Sequence, residues 1–342
     1  MRLEVEFKEK DVEKIIQILN SLRGEEIDIR SLTIQLAKKS LPSTDYLFII
    51  LQKLSSFGLI ESRRGFVKVK EEIKDEIVLE LMSAVERRVR KLKFFITPLE
   101  VAKFYQCPRR LWLEKVVLSR QFKEKKGKVW DGEVLHLAVN ILVKRIKKGE
   151  TVEELINEAA KEALKKYEGK TELSKETLVD FLEKFYNLIN DENFSQIFSE
   201  KKIISLKHAI VGTPDLIGIR DGRAVAIDLK LGRLSKKGVK FEHVLQSIGE
   251  AIITEDYFRI PVKYAYIIYF QSNSIAKIEI TEELKKKFFS LKKEIFRMFS
   301  SNRIPPKSRL PNYRNRVCKG CHVRPACENI EKIKRIAKRF LF

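Results

Sequence analysis

The chain has 342 residues, 44% of them hydrophobic and 34% charged, and carries a formal net charge of +22. That length buries a sizeable core in one or two domains, and the ordinary apolar fraction excludes wholesale disorder. No apolar run reaches the roughly 18 residues of a membrane-spanning helix, and the opening MRLEVEFKEK has no apolar signal core, so a cytoplasmic protein without a membrane partner is expected.

The positive excess is uneven. Residues 1–95 hold 19 Lys/Arg against 16 Asp/Glu, a net of +3, which leaves +19 for the remainder; the last forty residues hold 12 against 2. Clustered Lys and Arg gain by releasing counterions from phosphates. The C-terminal part, with its basic tail KIKRIAKRF, is therefore expected to face nucleic acid; a generally basic surface is the plainer alternative.

Residues 1–95 read as a unit. KDVEKIIQILNSLR, DIRSLTIQLAKK and TDYLFIILQKLSSF carry apolar residues at helical spacing, and Gly58 stops the third. In LIESRRGFVKVK, residues 59–61 and 66–70 read as short strands around Arg63, Arg64 and Gly65. Three helices and a basic hairpin predict a winged-helix-like domain, which binds either DNA through its third helix and wing or another protein surface. A linker helix over 72–92, ending in ERRVRKLK, leads to a second domain over 96–342.

That domain opens on ITPLEVAKFYQCPRRLWLEK. Thr97 as N-cap, Pro98 at the first helical position and Glu100 three residues after the cap predict a helix to about Tyr105, with Cys107 at its end. The other cysteines are Cys318, Cys321 and Cys327, spaced C-x2-C-x5-C in CKGCHVRPAC. Two cysteines at x2 spacing grip one metal from a single turn. Structural zinc (with His322 as a spare ligand), an iron–sulfur cluster and, less suited to a cytoplasmic protein, two disulfides all remain open on spacing alone.

The groups for chemistry lie between the cysteines. In GTPDLIGIRDGRAVAIDLKLG, Asp221 and Gly222 make a strong hairpin turn. Side chains alternate along a strand, so Asp228 and Lys230 share one face while Ile227 and Leu229 enter the core. Pairing about the turn brings Asp215, on an apolar strand over 209–219, close to Asp228. Two near carboxylates repel unless a cation lies between them, which makes them ligands for magnesium or manganese, and Lys230 can hold a water or phosphoryl charge. A surface Asp228–Lys230 ion pair is the plainer alternative, disfavoured by the apolar flanks of a half-buried sheet. Two further segments fit: DGEVLHLAVNIL places His136 on an amphipathic helix, and FEHVLQSIGEAIITEDYF places Glu242, Gln246 and Glu250 in one polar stripe, which in isolation reads as a solvated face.

Taken in order, Cys107, His136 in GEVLH, Asp215 in GTPD, Asp228 and Lys230 in IDLK, Gln246, then Cys318, Cys321 and Cys327 resemble the RecB-type PD-(D/E)XK nucleases that carry an iron–sulfur cluster. They are most similar to the fourth family of CRISPR-associated (Cas) exonucleases, over about residues 96–330. The resemblance implies an α/β restriction-endonuclease-like core with flanking helices and a cysteine-bound element. It implies a [4Fe–4S] cluster on the four cysteines, and Mn2+ or Mg2+ on His136, Asp215 and Asp228. Its catalytic set would be Asp215, Asp228, Lys230 and Gln246. It further implies a metal-dependent deoxyribonuclease acting on single-stranded DNA ends that trims spacer precursors for the CRISPR integrase complex in antiviral defence. Where the family has a tyrosine four residues after the glutamine this chain has Glu250, a candidate additional carboxylate; Tyr257 is too far along the helix to replace it. A repair or recombination nuclease of the same fold, and a winged-helix DNA-binding regulator with a decayed nuclease domain, are the competing readings.

Overall fold

The computed structural model describes residues 9–38, 44–63, 65–90, 94–116, 128–146, 151–301, 305 and 318–329. Arg64 at the expected wing tip, residues 91–93 of the basic linker and the tail from 330 onward lie outside the described residues.

Helix α1 (Glu9–Ser21) buries Val12, Ile15, Ile16 and Leu19, the i, i+3, i+4, i+7 face its spacing predicts. Strand β1 (Glu26–Asp28), helices α2 (Ile29–Lys38) and α3 (Thr44–Ser56), and strands β2 (Ile60–Arg63) and β3 (Phe66–Val69) follow. β1 escapes the sequence reading because three residues carry no usable period. It makes the expected hairpin a three-stranded antiparallel sheet in the order β1-β3-β2. The linker helix starts later than expected: a 3-10 turn at Asp75–Ile77 precedes α4 (Val78–Arg90).

The second region begins with α5 (Pro98–Gln106), whose capping box forms as predicted: Glu100 N donates to Thr97 Oγ1 (3.1 Å) and Thr97 N to Glu100 Oε2 (2.9 Å). Then come α6 (Pro108–Val116), α7 (Lys128–Arg145), α8 (Val152–Lys166) and α9 (Lys175–Glu192), strands β4 (Gln196–Ser199), β5 (Ile203–Ser205), β6 (Ile210–Gly212), β7 (Leu216–Arg220) and β8 (Arg223–Lys230), and helix α10 (Phe241–Phe258). Strands β9 (Tyr264–Tyr269) and β10 (Ser274–Glu279), helix α11 (Glu282–Ser300) and the short α12 (Arg324–Glu328) complete the described chain.

Five strands form the central sheet in the order β10-β9-β8-β7-β4. All neighbours are antiparallel except β8 and β9, which run parallel and are joined by α10 as the crossover. Alternate residues serve opposite layers: Val225, Ile227 and Leu229 pack with α7, α8 and α9, while Ile217, Ile219 and Ala224 pack with the layer of α5, α10 and α11. The sheet is thus covered on both faces, not half-buried as the sequence reading has it. The expected single strand over 209–219 is also broken. Pro214 has no N–H for a ladder, so β6 pairs with β5 in a separate hairpin and β7 starts afresh after Asp215.

The β5–β6 hairpin joins the two regions. Its Ile204 and Leu206, with Val211 and Phe95, pack into the same apolar cluster as Tyr46, Leu47 and Ile50 of α3. Asp45 at the start of α3 accepts from Leu206 N (2.6 Å) and pairs with Arg259 (3.2 Å), which also binds Asp256 (2.8 Å) and covers the Phe48 ring at 4.6 Å.

Close packing along α10 is testable at Gly249. A Cβ there would lie 2.6 Å from Phe288 and 2.7 Å from Pro98, on two different helices. Gly249→Ala gains about 1 kcal/mol of helix propensity but overpacks a site that neither ring can vacate, at roughly 1–3 kcal/mol. The substitution should lower the melting temperature; an unchanged or higher value would show that the α5–α10–α11 contact is looser than described.

Candidate active site

The turn sets the register. Asp221 (φ 46°) and Gly222 (φ 67°) are both left-handed, as the tightest hairpin turn requires, and the ladder runs from Arg220↔Arg223 to Leu216↔Ile227. One step further, Asp215 lies opposite Asp228. Asp215 Oδ2 accepts from the Leu229 N–H (2.7 Å), and its Oδ1 is 3.4 Å from His136 Nδ1 on α7.

Asp228, only 2% exposed, faces α10. The Lys230 ammonium donates to Asp228 Oδ1 (2.9 Å) and to Gln246 Oε1 (2.8 Å). Asp228 Oδ2 is 2.8 Å from the same ammonium yet outside hydrogen-bond geometry, so it is paired by charge alone. Gln246 Nε2 spans Asp228 Oδ1 (3.0 Å) and Glu250 Oε1 (2.9 Å), and Glu250 Oε2 has no hydrogen-bond partner. The structure therefore brings together Asp215, Asp228, Lys230, Gln246, Glu250 and His136. The stripe on α10 is not a solvated face. Gln246 and Glu250 turn inward, while Glu242, a turn earlier, accepts from Gln106 (3.0 Å) and stays outside the carboxylate group.

Burial pushes Asp215 up to about 6, against the pull of the Leu229 N–H and Lys230. Burial does the same to Asp228, opposed by Lys230 and reinforced by Asp215. Glu250 is raised well above the usual carboxylate range by burial and by the Asp228 and Asp215 charges. Burial works against the Lys230 cation, but Asp228 and Glu250 outweigh it and raise its pKa. Burial lowers His136 despite Asp228 and Glu200, so its imidazole is neutral and keeps a free lone pair. Hard oxygens with uncompensated charge beside a neutral imidazole fit Mg2+ or Mn2+. Among the described residues no three His, Cys, Asp or Glu side chains are already drawn to ligand geometry. The ammonium of Lys230 is the only cation paired with Asp228 among the described residues.

Two residues at this site escape the sequence reading. His243 Nδ1 lies 2.9 Å from Tyr269 OH, and Tyr269 is the register partner of Lys230 on β9. Burial and the Lys230 charge push His243 down to about 4. Its position three residues before Gln246 was the available signal, since i and i+3 share a helix face. Behind His136, Asn140 receives Ser199 Oγ (2.8 Å) and donates to Glu200 Oε2 (2.9 Å), and Glu200 N donates to Asp215 O (2.9 Å).

The cysteines form a second locus. All four are free. Cys107 caps α5 and is 7% exposed; Cys321 N closes a turn on Cys318 O (3.2 Å), and Cys327 sits in α12. Burial raises the Cys321 thiol, and Cys107 and Cys318 are near enough to add to that rise. Cys321 and Cys327 pack on the apolar cluster that holds Val323. Cys107, Cys318 and Cys321 thus lie near one another, but among the described residues the four thiols are not gathered into a metal-binding group. His322 is engaged elsewhere, 3.2 Å from Glu114 on α6. From the Cys107 end of α5, Tyr105 stacks edge-on against Phe241 (5.0 Å) and Gln106 binds Glu242, so this locus abuts the first turn of α10.

The five-stranded sheet thus holds Asp215, Asp228 and Lys230 close together, with Gln246 of the crossover helix against them. The chain belongs to the PD-(D/E)XK nuclease superfamily, whose model matches residues 96–328, and divalent cations such as Mg2+ or Mn2+ serve the nucleases of that superfamily. No curated protein matches the chain. One solved structure, described as "Crystal structure of SSO0001", is similar over 83% of this chain and 96% of its own, at 14% identity and a TM-score of 0.34, too loose a likeness to carry an argument.

The raised carboxylates make a pH prediction. Asp215 and Asp228 bind protons more tightly folded than unfolded, so their burial costs stability above pH about 6 and that cost is gone below the unfolded range near 3.8. The lowered His136 and His243 oppose this trend over the same range, so the test is the difference between variants: the melting temperature of metal-free Asp228→Asn relative to the native chain should shift upward as the pH rises from 5 to 7. Identical pH profiles for the two proteins would contradict the placement of these charges.

Proposed function

We propose that the protein is a metal-dependent DNA nuclease whose site is built from His136, Asp215, Asp228, Lys230 and Gln246. The observation that carries this is the approach of Asp215, partly exposed just before β7, to the buried Asp228 of β8, with a lysine two residues along that strand. His136, Asp215 and Asp228 would hold the cation. When bound, it supplies Lewis-acid charge that acidifies a water and stabilises the leaving oxygen. Lys230, held in line by Gln246, orients the water or takes phosphoryl charge. The order of motifs between flanking cysteines supports a finer reading: digestion from single-stranded ends, trimming of spacer precursors beside a CRISPR integrase, and a [4Fe–4S] cluster on Cys107, Cys318, Cys321 and Cys327. The excess of Lys and Arg toward the C-terminus suits a DNA partner.

The three helices and three-stranded sheet of the N-terminal region support a winged-helix reading. The docked start of α3 favours its protein-facing form, because Asp45 and Phe48 already contact the nuclease core. Any DNA contact from this region would then come from the β2–β3 hairpin.

End-labelled single- and double-stranded DNA with Mg2+ or Mn2+ tests the activity. Asp228→Ala and Lys230→Ala should each lower the rate by about a hundredfold or more, and undiminished cleavage by Asp228→Ala would overturn the site. The cysteines need a separate assay. Protein purified without oxygen should be brown with iron and sulfide in equal amounts, and Cys107→Ser should lose colour and melt lower. Stoichiometric zinc in a colourless protein would overturn the cluster and leave the carboxylate site standing.

A further inference from the structure

We infer that Glu250 is a third carboxylate ligand of the cation site, so that the cation is gripped from the crossover helix as well as from the strand pair. The inference rests on the cation reading above and extends it to a residue from a third element. Glu250 lies one turn beyond Gln246 on α10 and is 5% exposed, yet its Oε2 has no hydrogen-bond partner. A carboxylate buried so deeply without a full set of partners is costly, and no cationic side chain is paired with it within 4 Å among the described residues. Its other oxygen and Asp228 Oδ1 each lie within hydrogen-bond distance of the same Gln246 nitrogen, so the two carboxylates converge on one small polar group. Asp228 Oδ2 is likewise without a hydrogen bond. A cation bound here would take the free Oε2 of Glu250 and share Asp228 Oδ2 with the Lys230 ammonium, which lies 2.8 Å from it, and hard carboxylate oxygens of this kind suit Mg2+ and Mn2+. With all three carboxylates ionised, as cation binding would require, Asp215, Asp228 and Glu250 against Lys230 leave two negative charges for one divalent ion.

Calorimetric titration of Mn2+ into the metal-free full-length chain tests this without any reaction. Glu250→Gln keeps the shape and the bond to Gln246 while removing the ligand charge, and should weaken Mn2+ binding by about tenfold or more. Glu250→Asp keeps the charge and withdraws the oxygens by about one methylene. A ligand role predicts weakened binding there too, whereas binding equal to the native chain would mean that Glu250 acts only through its field and would overturn the inference. Native affinity in Glu250→Gln would also overturn it. Asp228→Asn is the control: if it too bound Mn2+ as the native chain does, the cation reading of the whole site would fail, and not Glu250 alone. Melting curves of the metal-free variants establish that each is folded. Added Mn2+ should raise the melting temperature of the native chain more than that of Glu250→Gln, by mass action on the folded state.

Discussion

A carboxylate removed from water between two apolar layers is the constraint on which the rest of the site depends. Asp228 sits in a strand covered on one face by α7, α8 and α9 and on the other by α10, where an unpaired charge costs several kcal/mol. Strand geometry supplies the relief, since residue i+2 shares the face of residue i and Lys230 therefore reaches Asp228 from the same strand. Lysine, aspartate and glutamine then hold one another, and each distance in the group is set by the other two. Such an arrangement is a poor source of stability and a good source of fixed geometry, as the cation site proposed above would require.

The strand pair was the most legible part of the sequence. Asp221 and Gly222 tolerate left-handed backbone, so turn type and pairing followed, and with them the opposition of Asp215 and Asp228. The α5 cap was equally plain, because Thr97, Pro98 and Glu100 act within one turn. What could not be read was anything decided by a neighbour distant in the chain. Whether the stripe of Glu242, Gln246 and Glu250 faces water or the sheet depends on what lies beneath α10. Helical period identifies a face and says nothing of what covers it. The His243–Tyr269 bond joins α10 to β9 across a loop and has no local signature. β1 is too short for a period, and Pro214 broke a strand whose apolar run had looked continuous.

The polar row on α10 is fastened from outside the sheet at both ends. At its first turn, Phe241 and Glu242 meet Tyr105 and Gln106, next to the Cys107 locus. At its last, Arg259 closes the helix in a left-handed conformation and reaches Asp45 of the N-terminal region as well as Asp256 of α10 itself. Two regions that contribute no carboxylate to the site thus bear on the helix that does.

The left-handed Arg259 at the end of α10 has a mechanical meaning. Each helical residue advances about 1.5 Å along the axis, and Gln246 stands 2.8 Å from the oxygen-seeking ammonium of Lys230. A slide of α10 by a single residue would shift that amide by about half the length of the bond it makes. Because the helix is held at both ends, it resists axial creep, and the spacing of the site is kept by a fixed length of helix as well as by the side chains that meet there.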